Sequence, residues 1–78
     1  MRLRYSERFR RSYQEAPPSV QRAFDRRAEF LLRDLRHPSL RAKKSRDIWQ
    51  GRVDSSWRFY FQIKDDGYVL LDIIPHPK

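Results

Sequence analysis

The side chains best suited to chemistry in this chain are an arginine and a histidine. Arg58 sits inside the run Trp57-Arg58-Phe59-Tyr60-Phe61, and His76 follows Ile74-Pro75. A guanidinium presents a planar fork that matches phosphate oxygens in pairs. An imidazole titrates near neutral pH and can pass a proton. Pro75 and Pro77 flank His76 and restrict the backbone that presents it. Arg52 is a further cation one strand away from Arg58. Residues 36–46 contain five Arg or Lys and no acid, with Arg41, Lys43, Lys44 and Arg46 among them. Such a segment is a ready phosphate-binding loop. Blander roles exist for each group: a surface ion pair of Arg58 with Asp72, worth about 0–1 kcal/mol, a fraying chain end at His76, and a solvated linker over residues 36–46.

The overall charge points the same way. Lys plus Arg is 18 against 10 for Asp plus Glu, a net charge of +8, and fourteen of the basic residues are Arg. A small chain this basic attracts nucleic acid, an anionic membrane or an acidic protein. Its 78 residues allow one small domain, residues 1–78. An aromatic content of 14% argues against disorder. The absence of cysteine excludes disulfides and Cys-based zinc sites. His37 and His76 are too few for a metal cluster of the usual kind, so neither metal nor cofactor is expected. The longest apolar runs, such as Tyr68-Val69-Leu70-Leu71, are too short to span a bilayer. No apolar signal region follows Met1-Arg2-Leu3-Arg4. The expected location is the cytoplasm, with no membrane partner.

The elements that must position these groups follow from periodicity. Met1 to Tyr5 alternates, with Leu3 and Tyr5 on one side, as a short strand does. Ser6 can cap a helix whose stripe is Phe9 and Tyr13. Ala16-Pro17-Pro18 ends that helix. A second helix starts at Pro18 or Ser19, buries Val20, Ala23, Phe24, Phe30, Leu31 and Leu35, and ends near Arg36. Its polar face holds a Glu29–Arg33 pair in the favourable order. Strands are expected over 47–53, 57–64 and 68–74. Trp57, Phe59, Phe61 and Ile63 point one way along the second of these, and Arg58, Tyr60 and Gln62 the other. Val69, Leu71 and Ile73 are the expected core set of the last strand. Asp65-Asp66-Gly67 is a hairpin turn, because Asp-Gly suits positive backbone angles. The result is an α+β domain, β-α-α-β-β-β, with two helices on one face of a four-stranded, mainly antiparallel sheet.

Several segments carry a family resemblance. Leu40-Arg41-Ala42-Lys43-Lys44, Trp49-Gln50-Gly51-Arg52-Val53, Ser56-Trp57-Arg58-Phe59-Tyr60-Phe61 and Leu71-Asp72-Ile73-Ile74-Pro75-His76 together resemble the RelE/ParE superfamily of bacterial toxins. The order of strands and helices agrees with that family, and the likeness extends over nearly the whole chain. The most similar members are ribosome-dependent endoribonucleases, or mRNA interferases, neutralised by a cognate antitoxin. Others poison DNA gyrase, and some have no demonstrated activity.

The resemblance implies a metal-independent reaction. The RNA 2′-oxygen attacks the adjacent phosphorus and the 5′-oxygen leaves. Arg58 aligns with the family arginine that stabilises the phosphoryl charge, and His76 with the histidine that transfers a proton, as general acid. Lys43 and Lys44 match the family's basic segment, where they would hold the scissile phosphate or ribosomal RNA. Arg41, Arg46, Arg52 and Tyr60 are further candidate RNA contacts. The implied partners are mRNA in the ribosomal A site with its rRNA, and an acidic antitoxin protein. Many active members carry a tyrosine soon after the histidine; here Pro77-Lys78 follows, and Tyr60 is a possible substitute. No carboxylate base is placed by the match, with Asp54 and Asp72 as candidates. The alternative is a non-nuclease member, either a gyrase inhibitor or an inactive antitoxin-binding or nucleic-acid-binding protein.

Overall fold

The computed structural model describes residues 2–76. Expectations for Met1 in the first strand and for Pro77 beside the histidine lie outside the described residues. The chain runs β1 (Arg2–Tyr5), α1 (Glu7–Glu15), α2 (Pro18–Arg33), a 3-10 turn (Pro38–Leu40), β2 (Lys43–Ser45), β3 (Ile48–Arg52), β4 (Trp57–Lys64) and β5 (Gly67–Pro75). The strands form one sheet in the order β1-β5-β4-β3-β2. β1 pairs parallel with β5 and the other neighbours are antiparallel. The sheet is therefore five-stranded and mixed, not four-stranded. The extra strand, β2, has all three residues exposed. It carries no apolar alternation, which is why its sequence reads as loop.

Ser6 caps α1 and fastens it to the sheet at once. Its Oγ accepts the Phe9 N–H at 3.0 Å and donates to the Leu71 carbonyl at 3.0 Å. Its backbone N–H donates to the Leu70 carbonyl at 2.9 Å. Pro17 and Pro18 separate the helices, Ala16 being extended as the residue before a proline must be. Pro18 opens α2, where its missing N–H costs nothing. α2 stops at Arg33, earlier than the periodicity suggests. The Asp34 carboxylate accepts the Arg36 N–H at 2.9 Å and diverts the backbone into a turn. Among the described residues Glu29 and Arg33 form no ion pair.

The core lies between the helices and one sheet face. Phe9 and Phe24 meet at 5.0 Å between ring centroids, Phe24 and Phe59 at 5.3 Å, and Phe59 and Phe61 at 5.5 Å. These rings join both helices to β4, and all four are buried. On β5 the buried set is Tyr68, Leu70 and Ile73, with Val69 and Leu71 only half-buried. The expected set Val69, Leu71 and Ile73 holds only at Ile73. A bulge is the reason: Tyr60 pairs with Asp72 but Phe61 pairs with Leu70, leaving Leu71 as an extra residue that reverses the alternation. The β4–β5 turn also differs from the Asp-Gly expectation. The positive φ falls on Asp65, at 53°, and not on a glycine. Gly67 serves a close approach, since a Cβ there would lie 2.8 Å from the Arg2 carbonyl oxygen of β1.

Candidate active site and nucleic-acid interface

Strand pairing sorts the basic residues by face, because residues directly opposite each other share a side of the sheet. Arg52 of β3 stands opposite Arg58 of β4, and Arg58 stands opposite Ile74 of β5. In another row Lys43, Gln50, Tyr60 and Asp72 face one another across β2 to β5. Phe59 and Phe61, the neighbours of Tyr60, point into the core. Arg52, Arg58, Tyr60 and Lys43 therefore share the face opposite the Phe59–Phe61 core, a face that α1 meets at Asp72 of β5.

Two of these guanidiniums meet at one carbonyl. Arg58 Nη1 donates to the Asp54 carbonyl at 2.6 Å and to the Trp57 carbonyl at 2.8 Å. Arg52 Nε donates to the same Asp54 oxygen at 3.3 Å. Among the described residues neither has a carboxylate partner within ion-pair distance. The Arg58–Asp72 pair allowed by the sequence is not formed. Asp72 instead accepts from Ser12 Oγ at 2.6 Å and lies 3.5 Å from Arg8 Nε, both on α1. Like charges directly opposite on a sheet are destabilising, so this row is costly for the fold and suited to an anion.

His76 is exposed, and its backbone N–H donates to the Ser56 carbonyl at 2.6 Å. That bond continues the Trp57–Pro75 pairing and draws the end of β5 against the start of β4. His76 is thus one strand over from Arg58 and two residues beyond its partner Ile74, a step of roughly 7 Å along a strand.

The remaining candidates are dispersed. Lys44 is opposite Trp49, whose ring stacks on Phe61 at 6.0 Å, and Lys44 Nζ lies 6.0 Å from the Trp49 ring centroid. It occupies the side opposite Lys43. Arg46, with φ 59°, is in the β2–β3 turn, beyond Ile48 and so more than roughly 13 Å along β3 from Arg52. Arg41, with φ 46°, follows the 3-10 turn. It lines a shallow depression of about 430 Å³ together with Arg27, Arg52 and Asp54. Arg27 is not among the site residues expected from the sequence. Its signal was a cation at the spacing of the apolar stripe of α2, where charge is uncommon unless it is bound; its Nε donates to the Val53 carbonyl at 3.2 Å. His37 has a structural place: its ring stacks on Phe30 at 4.0 Å and its Nδ1 accepts the Ser39 N–H at 3.2 Å. Among the described residues no cluster of His, Cys, Asp or Glu is arranged to hold a metal, and no helix is long and apolar enough to cross a membrane.

No protein-family model matches the chain, and no curated protein matches it. Solved structures do. A YoeB/ParE toxin from Agrobacterium tumefaciens superposes with a TM-score of 0.83 at 12% identity, over 99% of this chain and 100% of that one. A YoeB–YefM complex from Staphylococcus aureus gives 0.79 at 10% identity, over 99% and 98%. A RelBE toxin–antitoxin complex from Mycobacterium tuberculosis gives 0.77 at 21% identity, over 95% of each chain. The fold of this chain is that of the RelE/ParE-superfamily toxins.

Proposed function

We propose that this chain is a toxin of the RelE/ParE superfamily that cleaves mRNA on the ribosome and thereby stops translation. The observation that carries the reading is the open-faced pair of Arg52 and Arg58, opposed across β3 and β4 without a carboxylate among the described residues. In the proposed reaction the 2′-oxygen bonds to phosphorus, the bond from phosphorus to the 5′-oxygen breaks, and a cyclic phosphate forms. Arg58 takes up the charge that grows on the phosphoryl oxygens. Arg52 assists it as a second phosphate ligand. His76 gives the proton to the departing 5′-oxygen. Tyr60 and Lys43, on the same face, are RNA contacts, while Arg41, Lys44 and Arg46 would meet RNA further out. The 2′-hydroxyl proton passes to a general base. Of the two candidate carboxylates Asp72 is engaged by α1, which leaves Asp54, whose Oδ2 accepts no hydrogen bond among the described residues.

We assign the second partner as an acidic antitoxin, active neutralisation being the counterpart of a toxin. Several structures of the same fold are toxin–antitoxin complexes. A net charge of +8 favours such a partner, and would also draw the protein to ribosomal RNA through counterion release. The reading is tested by inducing the wild type, Arg58→Ala and His76→Ala and mapping mRNA ends on translating ribosomes. New ends are expected with the wild type and not with either variant. Supercoiling inhibition, or salt-sensitive nucleic-acid binding without cleavage, would favour the non-nuclease alternative.

A further inference from the structure

The depression lined by Arg27, Arg41, Arg52 and Asp54 shares Arg52 and Asp54 with the chemistry proposed at Arg58 and His76, but Arg27 and Arg41 have no part in that chemistry. Three guanidiniums face one carboxylate there. One oxygen of the Asp54 carboxylate is committed to its own turn, Oδ1 accepting the Ser56 N–H at 2.8 Å and the Trp57 N–H at 2.9 Å. Two of the guanidiniums are held by backbone. Arg27 Nε donates to the Val53 carbonyl and Arg52 Nε to the adjacent Asp54 carbonyl, at 3.2 and 3.3 Å. These bonds use the Nε of each fork, and the terminal amino groups make no other hydrogen bond among the described residues. A guanidinium fixed through Nε and open at its tips is ready to grip an anion in the bidentate manner. Arg41 reaches the depression from a left-handed backbone, φ 46°, a conformation that non-glycine residues adopt rarely.

We propose that this depression seats an RNA backbone phosphate other than the one being cleaved, with Arg27 and Arg41 as its distinguishing contacts. Arg52 belongs to both places: it lines the depression and stands opposite Arg58. A strand whose reacting phosphate is at Arg58 can therefore extend over the rim of the sheet to α2 without leaving basic surface. The inference deepens the proposed function and rests on it for the direction of the strand, but not for the affinity.

The test uses a non-cleavable 2′-O-methyl RNA octamer and, separately, ribosomes free of mRNA, so that binding is measured apart from cleavage. Arg27→Gln and Arg41→Gln are expected to weaken octamer binding about 5- to 10-fold and to lower the slope of log Kd against log salt by roughly 0.7 each. Arg27→Lys keeps the charge and loses the fork, and should fall between. If the contact is made to ribosomal RNA instead of the substrate strand, the same losses appear in ribosome cosedimentation and not with the octamer. Arg41 makes no side-chain hydrogen bond among the described residues, so Arg41→Gln reports binding even if Arg27→Gln lowers the melting temperature. Wild-type affinity and salt slope for both glutamine variants in both assays would overturn the proposal. Absence of cleavage by the wild type, with these losses intact, would instead overturn the nuclease reading alone.

Discussion

Gly51 and Phe59 stand directly opposite each other on β3 and β4, and the Phe59 ring fills the space a side chain at Gly51 would need. A Cβ there would lie 2.2 Å from Phe59 Cζ. The ring is fully buried between Phe24 and Phe61 and cannot swing away. Gly51→Ala should therefore destabilise the domain by about 1–3 kcal/mol, seen as a melting temperature lowered by at least about 4 °C. Combining it with Phe59→Leu should cost less than the two changes summed, and a double-mutant cycle by thermal denaturation measures the difference. Strict additivity would show that the ring does not occupy the glycine's space.

The row next to that contact makes an opposite prediction. Arg52 and Arg58 face each other with like charge and share the Asp54 carbonyl. Such a pair weakens a sheet by roughly 0.2–1 kcal/mol, offset by hydrogen bonds of about the same size. Arg58→Leu should leave the melting temperature within a few degrees of wild type. Ribosome-dependent cleavage should fall by about 100-fold, the usual loss when one donor to a developing oxyanion is removed. Arg58→Lys should recover little, since a point charge cannot replace the fork. A cold-shifted melting curve with full cleavage would assign Arg58 to the fold.

The contrast between these neighbouring rows explains what the sequence disclosed. Strong alternation exposed β4 in full, and Ser6, Pro17 and Pro18 marked the helix ends. The face of Arg58 followed from the same alternation. Leu71 was misplaced because a bulge has no local signature in an apolar run, and it reverses the side chains before it. β2 escaped notice because its Lys43–Ser45 sequence is wholly exposed and held only by pairing with β3. Arg27 was hidden because its partner, the Val53 carbonyl, is remote in sequence. Lys43 and Lys44, adjacent in the chain, belong to opposite faces, which a reading by charge density cannot separate.

Alkaline pH should act on the aromatic side of the molecule. Burial, then a hydrogen bond and the negative charge of Asp25, raise Tyr13 above the ordinary phenol value of 10.0. Burial followed by Asp25 raises Tyr5, with Arg10 opposing, and burial followed by Asp34 raises Tyr68. A raised phenol favours folding while it is protonated. The contribution is complete below pH 10, where the unfolded chain still holds its phenol protons, and it is lost as pH rises through the higher folded values. The melting temperature should therefore decline more steeply above pH 10 than from pH 8 to 10. Tyr13→Phe, which removes the hydroxyl that donates to Asp25 at 2.9 Å, should flatten that decline. An identical alkaline slope in Tyr13→Phe would remove Tyr13 from the account.

The proton assigned to His76 can be tested through the leaving group. An alkoxide departing from phosphorus needs protonation, whereas a thiolate, whose conjugate acid has a pKa near 8.5, does not. The Ser56 carbonyl holds the His76 backbone 2.6 Å away through its N–H, not through the ring. Replacing the imidazole therefore leaves the β4–β5 pairing intact. His76→Ala should lower cleavage of an ordinary mRNA on the ribosome by about 10²- to 10⁴-fold, the span of general acid catalysis. The same variant should cleave an mRNA carrying sulfur at the scissile 5′ position within about tenfold of wild type. Arg58→Ala should remain slow on both substrates, because charge still builds on the phosphoryl oxygens when sulfur leaves. Equal losses for His76→Ala on the two substrates would mean that His76 binds or orients the RNA, and that the proton comes from another group.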